Sequence, residues 1–188
     1  MNVYDFDGTI YKNDSTRDFY CYLLLHHFKV IKYIPAATID AIKYIFGFTT
    51  KTKMKETFYH FLKCFKKGEI DYIVNDFWEK NEKKIYKWYY DVKEESDVVI
   101  SASPQFLLEP ICKKLKVNLI CSKVNAESGD YIGINCYGEE KVRRFKEVYN
   151  DVIIENFYSD SKSDEPLARI AKNAYIVKKN GDIKKWAF

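Results

Sequence analysis

Several features that would point to a function class are missing from this chain of 188 residues. Its cysteines, Cys21, Cys64, Cys112, Cys121 and Cys136, are odd in number, and no pair has the spacing of a metal site. Reduced thiols in a cytoplasm are therefore the expectation. No spacing gathers His26, His27 and His60 into a ligand set, so a histidine metal site is not expected. A formal net charge of +4 is too small to imply nucleic acid, and no such partner is expected. The acidic start has no basic n-region, so no signal peptide is expected. No segment reads as a clean membrane span: the best candidate, residues 30–48, carries Lys32, Asp40 and Lys43, with Asp40 near mid-bilayer. There is no internal repeat and no low-complexity stretch. Glycine is scarce, with seven in the whole chain and only Gly47 and Gly68 between residues 13 and 90.

The residues that are present, 47% hydrophobic and 31% charged, fit a soluble globular protein with one core plus a modest insertion. Val3 to Phe6 reads as a first strand. From about residue 13 to 90, apolar residues recur at helical spacing, as in Phe58, Phe61, Leu62 and Phe65, then Ile70, Ile73, Phe77 and Trp78. About four helices are expected there, the first capped by Ser15 or Thr16. After Val92 strands and helices alternate: strand 97–100, helix from Pro104 to about Leu115, strand 117–121, a polar hairpin over 123–136, helix 139–149, strand 152–158, helix 164–171 and a last strand at 174–177. Such alternation predicts an α/β fold, a parallel sheet covered on both faces. The helical block, inserted after the first strand, then sits as a cap over the carboxyl edge of the sheet.

That edge is where open α/β sheets bind ligands, and four clusters of polar residues fall on it. Asp5-Phe6-Asp7-Gly8-Thr9 places two carboxylates before a turn with free amides. Ser101-Ala102-Ser103 follows the second strand, Lys141 lies early in the 139–149 helix, and Ser159-Asp160-Ser161-Lys162-Ser163-Asp164 follows the strand ending at Tyr158. Cleaving a phosphate monoester takes a nucleophile, a proton donor for the leaving oxygen, and positive charge over the transferring group. Asp5 suits the nucleophile and Asp7 the general acid and base. Thr9 and Ser101 suit hydrogen bonds to phosphoryl oxygens, and Lys141 suits the fixed charge. Asp5 and Asp160 suit Mg²⁺, a hard ion that prefers oxygen.

The order DFDGT, SAS, GEEK, SDSKSDEP resembles the four-motif signature of the haloacid dehalogenase superfamily. The resemblance covers residues 1–12 and 91–188, a three-layer Rossmann-like core, and leaves residues 13–90 as the helical cap. It implies a phosphatase working through an aspartyl phosphate. The implied roles are Asp5 as nucleophile, Asp7 as acid and base, Ser101 with Ala102 and Lys141 on the phosphate, and Asp5, Asp160, Asp164 and the Asp7 carbonyl on Mg²⁺. Ligation by Asp164 is either direct or through a water. The cap position is that of the phosphoserine phosphatase branch. Within that branch Ser103-Pro104-Gln105, Val117-Asn118-Leu119-Ile120, Gly138 to Val142 and Tyr158 to Asp164 are similar to bacterial phosphatidylglycerophosphate phosphatases. Dehalogenase chemistry is not expected, because Asp7 and the acidic fourth motif suit a metal-bound phosphate.

Two readings stay open at several positions. Asp14 lies where phosphoserine phosphatases meet a substrate amine, but it also suits a helix cap. Arg17 is the only arginine before Arg143 and a candidate for substrate recognition; the cap offers no clear arginine for a substrate carboxylate. The cap holds 19 of the 32 aromatics, and nine lysines against Asp40 and Glu56 lie between Lys29 and Lys67. That composition fits an ordinary cap with solvated lysines. It also fits a peripheral contact with anionic lipid at the inner membrane face. The expected partner is a phosphorylated small molecule or a lipid headgroup. A phosphotransferase or mutase shares every motif, and a non-catalytic phosphate-binding module is the remaining alternative; oligomeric state leaves no mark on the sequence.

Overall fold

The computed structural model of the chain describes residues 1–66 and 68–188. Lys67, one of the nine lysines counted above, lies outside the described residues. Five strands run parallel in the order β3-β2-β1-β4-β5: β1 (Asn2–Tyr4), β2 (Val98–Pro104), β3 (Asn118–Ser122), β4 (Asn156–Ser159) and β5 (Asn173–Val177). A sixth, β6 (Ile183–Lys185), joins β5 antiparallel. It is a sheet of the kind expected, with two differences. Val152 and Ile153 are exposed and precede β4 rather than forming its start. β6 is three exposed residues with no apolar alternation to announce it.

Strand side chains alternate between the two faces, and the core divides accordingly. Val3, Val98, Ile100 and Phe157 pack with Phe145 of α7 (Glu139–Tyr149) and Leu167 of α8 (Glu165–Ile170). Tyr4 and Val99 pack on the other side with Tyr89 of α5 (Lys87–Val92) and with Leu108 and Ile111 of α6 (Gln105–Leu115). Three layers result. On the second face Tyr4, Tyr158 and Tyr175 stack across β1, β4 and β5 at 4.9 Å per step. Such cross-strand aromatic pairs add to the stability of a sheet beyond simple burial.

Between β1 and β2 the chain forms α1 (Ser15–His26), α2 (Ile34–Ile45), α3 (Lys51–Tyr59) and α4 (Glu69–Asn81), joined partly by short 3₁₀ turns. It leaves and returns side by side: the Tyr86 N–H donates to Ile10 O at 2.9 Å and Lys12 N–H to Lys84 O at 3.1 Å. Residues 87–90, at the end of the expected insert, lie in α5, whose Trp88 and Tyr89 are 6.3 and 5.1 Å from the Tyr4 ring. The insert shares its apolar interior with the sheet. Phe19, Phe77 and Trp78 join the cluster of Tyr4 and Val99, and the Trp78 indole donates to Leu107 O at 2.6 Å.

Phe157 is fully buried on the α7/α8 face. Phe157→Ala is expected to cost about 3–5 kcal/mol, read as a fall in the urea midpoint with unchanged m-value. A loss below about 1 kcal/mol would mean that this face is not close-packed.

Candidate active site

The chain runs from β1 outward through β2 and β3, then crosses to β4 and β5 on the other side of β1. The carboxyl ends of β1 and β4 therefore flank the crevice where strand order reverses, the place where such sheets hold ligands. Asp5 follows β1, and its N–H donates to Tyr158 O at 2.8 Å. Lys141 comes from the first turn of α7, which Gly138 enters at φ 58°. Lys141 and Phe145 are four residues apart, so both lie on the buried face of the helix. The Lys141 ammonium donates to Asp5 Oδ1 at 2.7 Å and Asp164 Oδ2 at 2.8 Å. Ser159, at the end of β4, donates to the same Asp164 oxygen at 2.8 Å. Asp164 Oδ1 is buried and has no hydrogen-bond partner among the described residues.

The other acids are held separately. At Gly8, with φ +73°, an added Cβ would stand 2.2 Å from Asp160 Oδ2, so only glycine permits this approach. Thr9 joins two loops. Its buried Oγ1 accepts the Asp160 N–H at 2.9 Å, tying the loop after β1 to the loop after β4. Asp7 Oδ1 accepts from the Ser15 N–H at 2.6 Å and Asp7 Oδ2 from the Ser103 hydroxyl at 2.5 Å. Ser103 reaches it because β2 pairs with β3 at Ser101 and resumes only at Pro104, a bulge that turns Ala102 and Ser103 out of the ladder. Ser101 Oγ accepts the Ser103 N–H at 3.1 Å. A hydroxyl chain continues from Ser103 to Thr16 at 3.2 Å and Tyr59 at 3.4 Å.

Burial, with Asp14 nearby, pushes the Asp7 carboxyl up to about 6 against the bonds from Ser103 and Ser15. Burial drives Asp5 upward too, an effect that Lys141 opposes and Asp164 reinforces. Burial disfavours the ammonium of Lys141, but Asp5 and Asp164 outweigh it and hold the group above its ordinary value. Burial and then Asp164 raise Asp160. Lys141 pairs with Asp5 and Asp164, and with Asp160 near them the three carboxylates outnumber the lysine, leaving an excess of negative charge on hard oxygen donors. Among the described residues no three acid, histidine or cysteine side chains already converge as a ligand set. Lys141 Nζ stands between Asp5 and Asp164.

A cleft of 690 Å³ opens beside these acids, lined by Asp7, Gly8 and Asp160 together with Lys12, Arg17 and Lys179. Asp14 is on its rim and caps α1, accepting the Arg17 N–H at 2.8 Å. The Arg17 guanidinium has no protein acceptor among the described residues. Ala102 is half-buried. Residues to which the sequence assigned no role in the site of their own are Gly8, Lys12, Ser159 and Lys179, together with Ser15, named only as a helix cap, and Ser103 as a partner of Asp7. For Gly8 the signal was present, a glycine after two acids at a strand end; for the others no local pattern marks them.

The family model for haloacid dehalogenase-like hydrolases matches residues 3–169. Protein CicA of Caulobacter vibrioides is 27% identical over 185 residues, covering 90% of this chain and 82% of that protein. A protein of unknown function from Bordetella pertussis Tohama I shares the fold with a TM-score of 0.75 at 19% identity, over 93% of this chain and 87% of the other. A phosphoserine phosphohydrolase-like protein from Francisella tularensis shares it with a TM-score of 0.56 at 13% identity, over 93% and 86%.

Gly8→Ala combines a positive φ with a clash on Asp160 and is expected to cost about 1–3 kcal/mol in thermal melts. Part of that cost should vanish in an Asp160→Gly background. Equal costs in both backgrounds would place the strain in the backbone alone.

Proposed function

We propose that this chain, which belongs to the haloacid dehalogenase-like hydrolase family, hydrolyses phosphate monoesters through a phosphoryl group carried on Asp5. The observation that carries the reading is the separation of two neighbouring acids into different environments. Asp5 faces the Lys141 ammonium at 2.7 Å, while Asp7 is held by Ser103 and Ser15 with its carboxyl raised to about 6. Carboxyl pairs whose surroundings differ in this way divide into acid and nucleophile.

In the first step an Asp5 carboxylate oxygen attacks phosphorus. The ester oxygen departs with its electron pair and takes a proton from Asp7. In the second step Asp7 takes a proton from a water whose oxygen attacks the same phosphorus. The bond to Asp5 breaks, phosphate leaves and the carboxylate is restored. A group titrating near 6 can both give and take a proton close to neutrality. Lys141 offsets charge on the attacking carboxylate and the phosphoryl oxygens. The Ser101 hydroxyl and the backbone at Ala102 lie on the same edge and suit contacts to the phosphate. Thr9 holds the two loops together by accepting the Asp160 N–H.

The excess of carboxylate charge and the partnerless oxygen of Asp164 fit a divalent cation, and Mg²⁺ is the ion we assign. Asp5, Asp160, Asp164 and the Asp7 carbonyl would hold it, and it would supply positive charge against the phosphoryl group. Lys12, Arg17 and Lys179 favour substrates whose leaving group bears a further negative charge.

Asp5→Asn is expected to lower turnover of p-nitrophenyl phosphate at least about a thousandfold with the circular dichroism spectrum unchanged. Wild-type-like turnover would remove Asp5 from the reaction. Free phosphate, rather than phosphate on an added alcohol, is the expected product. Chelation is expected to abolish turnover and added Mg²⁺ to restore it; full rates after chelation would discard the metal assignment.

A further inference from the structure

α2 differs from the other helices of the insert because none of its twelve residues is buried. Beyond Ile34 at its start, its inner side is small and polar: Ala37, Asp40 and Ala41 are, like Ile34, half-buried. Asp40 accepts from the Thr57 hydroxyl at 2.6 Å and pairs with Lys43 at 3.2 Å, so the only acid of the helix is turned toward α3 and compensated. The outer side carries Ile39, Ile42 and Phe46 at spacings of three and four, with exposures of 53%, 49% and 70%. The amphipathic pattern is inverted, with its apolar stripe toward solvent. Phe48, at 81% exposure, extends the stripe beyond the helix, and Leu25 and Phe28, both 73% exposed, precede it. Apolar side chains concentrated in this way mark a contact surface.

The charges of the same stretch select the occupant. Eight lysines lie between Lys29 and Lys66 against two acids, and both acids are engaged, Asp40 as described and Glu56 with Lys53 at 3.4 Å. A second copy presenting this face would set like charge against like. A membrane surface rich in anionic lipid accepts the apolar side chains below its headgroups and the lysines among them.

We propose that the outer face of α2, with the Phe46–Phe48 turn and the end of α1, docks on an anionic bilayer surface. The insert lies in the interface, and no helix among the described residues is long and apolar enough to cross a membrane. α1 connects this face to the acids. Its first residue donates to Asp7 and its last turn carries Leu25. Ten residues separate Ser15 from Leu25, which at the α-helical rise sets the two about 15 Å apart.

The test is co-flotation of the whole protein with vesicles, without substrate, so that its outcome is separate from that of the phosphatase reading. Phosphatidylcholine vesicles are compared with vesicles of equal parts phosphatidylcholine and phosphatidylglycerol. Binding is expected to the mixed vesicles, at least about tenfold weaker to phosphatidylcholine alone, and reduced by high salt. The double variant Phe46→Ser/Phe48→Ser is expected to lose about tenfold or more in binding while keeping its melting temperature and its turnover of soluble aryl phosphate. The proposal fails if the wild type does not float with the mixed vesicles, or if the double variant floats equally well. It also fails if gel filtration shows a dimer that the double variant converts to monomer, since the stripe would then cover a second copy.

Discussion

A lysine side chain only 3% exposed is costly to bury, because an ammonium leaves its water behind and must find compensating charge. Lys141 finds it in Asp5, at the end of β1, and Asp164, in the turn between β4 and α8. The geometry of the crevice follows from that contact. Asp5 is pinned at the end of β1, so the turn through Gly8 must pass close to Asp160. Thr9 then fastens the same turn to the Asp160 backbone. Asp7, directed away from the lysine, meets donors from a different pair of elements, the start of α1 and the bulge of β2. One ion triad thus separates two carboxylates that are only two residues apart.

The insert is built into this arrangement rather than hung from it. Its aromatic interior runs without a break into the face of the sheet that carries Tyr4 and Val99. The Trp78 indole is bonded to the backbone of α6, the helix that follows the Ser101–Ser103 bulge. The hydroxyl chain from Tyr59 through Thr16 reaches Ser103 and so Asp7. α1, which lines the cleft with Arg17 and Asp18, therefore also helps to hold Asp7 in place.

The parts of this architecture legible in the sequence are those with a local signature. Asp5 and Asp7 before a Gly-Thr turn, a serine cluster after an apolar run, and a lysine in the first turn of an amphipathic helix each stand at a strand end that periodicity locates. Their meeting is not local, because Lys141 lies 136 residues from Asp5. The tie from Thr9 to the Asp160 backbone was not legible because a hydroxyl in a turn has the same signature whether it accepts from backbone or donates to a ligand. Ser103 escaped notice as a partner of Asp7 because the slip between Ser101 and Pro104 is a property of pairing with β3. Trp88 and Tyr89 continue the helical spacing of the insert, so nothing in the chain marks their return to the sheet. The outward stripe of α2 was visible only as composition, since a helical wheel does not say which side has a neighbour.

The triad also has a consequence for how the chain reaches its final form. Asp5 is among the first residues made, whereas its partners lie 136 and, through Lys141, a further 23 positions along. Contacts this remote close late, after loop entropy has been overcome. Until α7 docks, the crevice holds crowded carboxylates with no cation to hold them, and that repulsion works against closing the sheet around them. The folding step that completes the hydrophobic layer beneath α7 is therefore the same step that brings the lysine to the acids. A chain with that layer incomplete has no assembled triad of Lys141, Asp5 and Asp164, so under the proposed mechanism catalytic competence is a late report on the integrity of the whole fold.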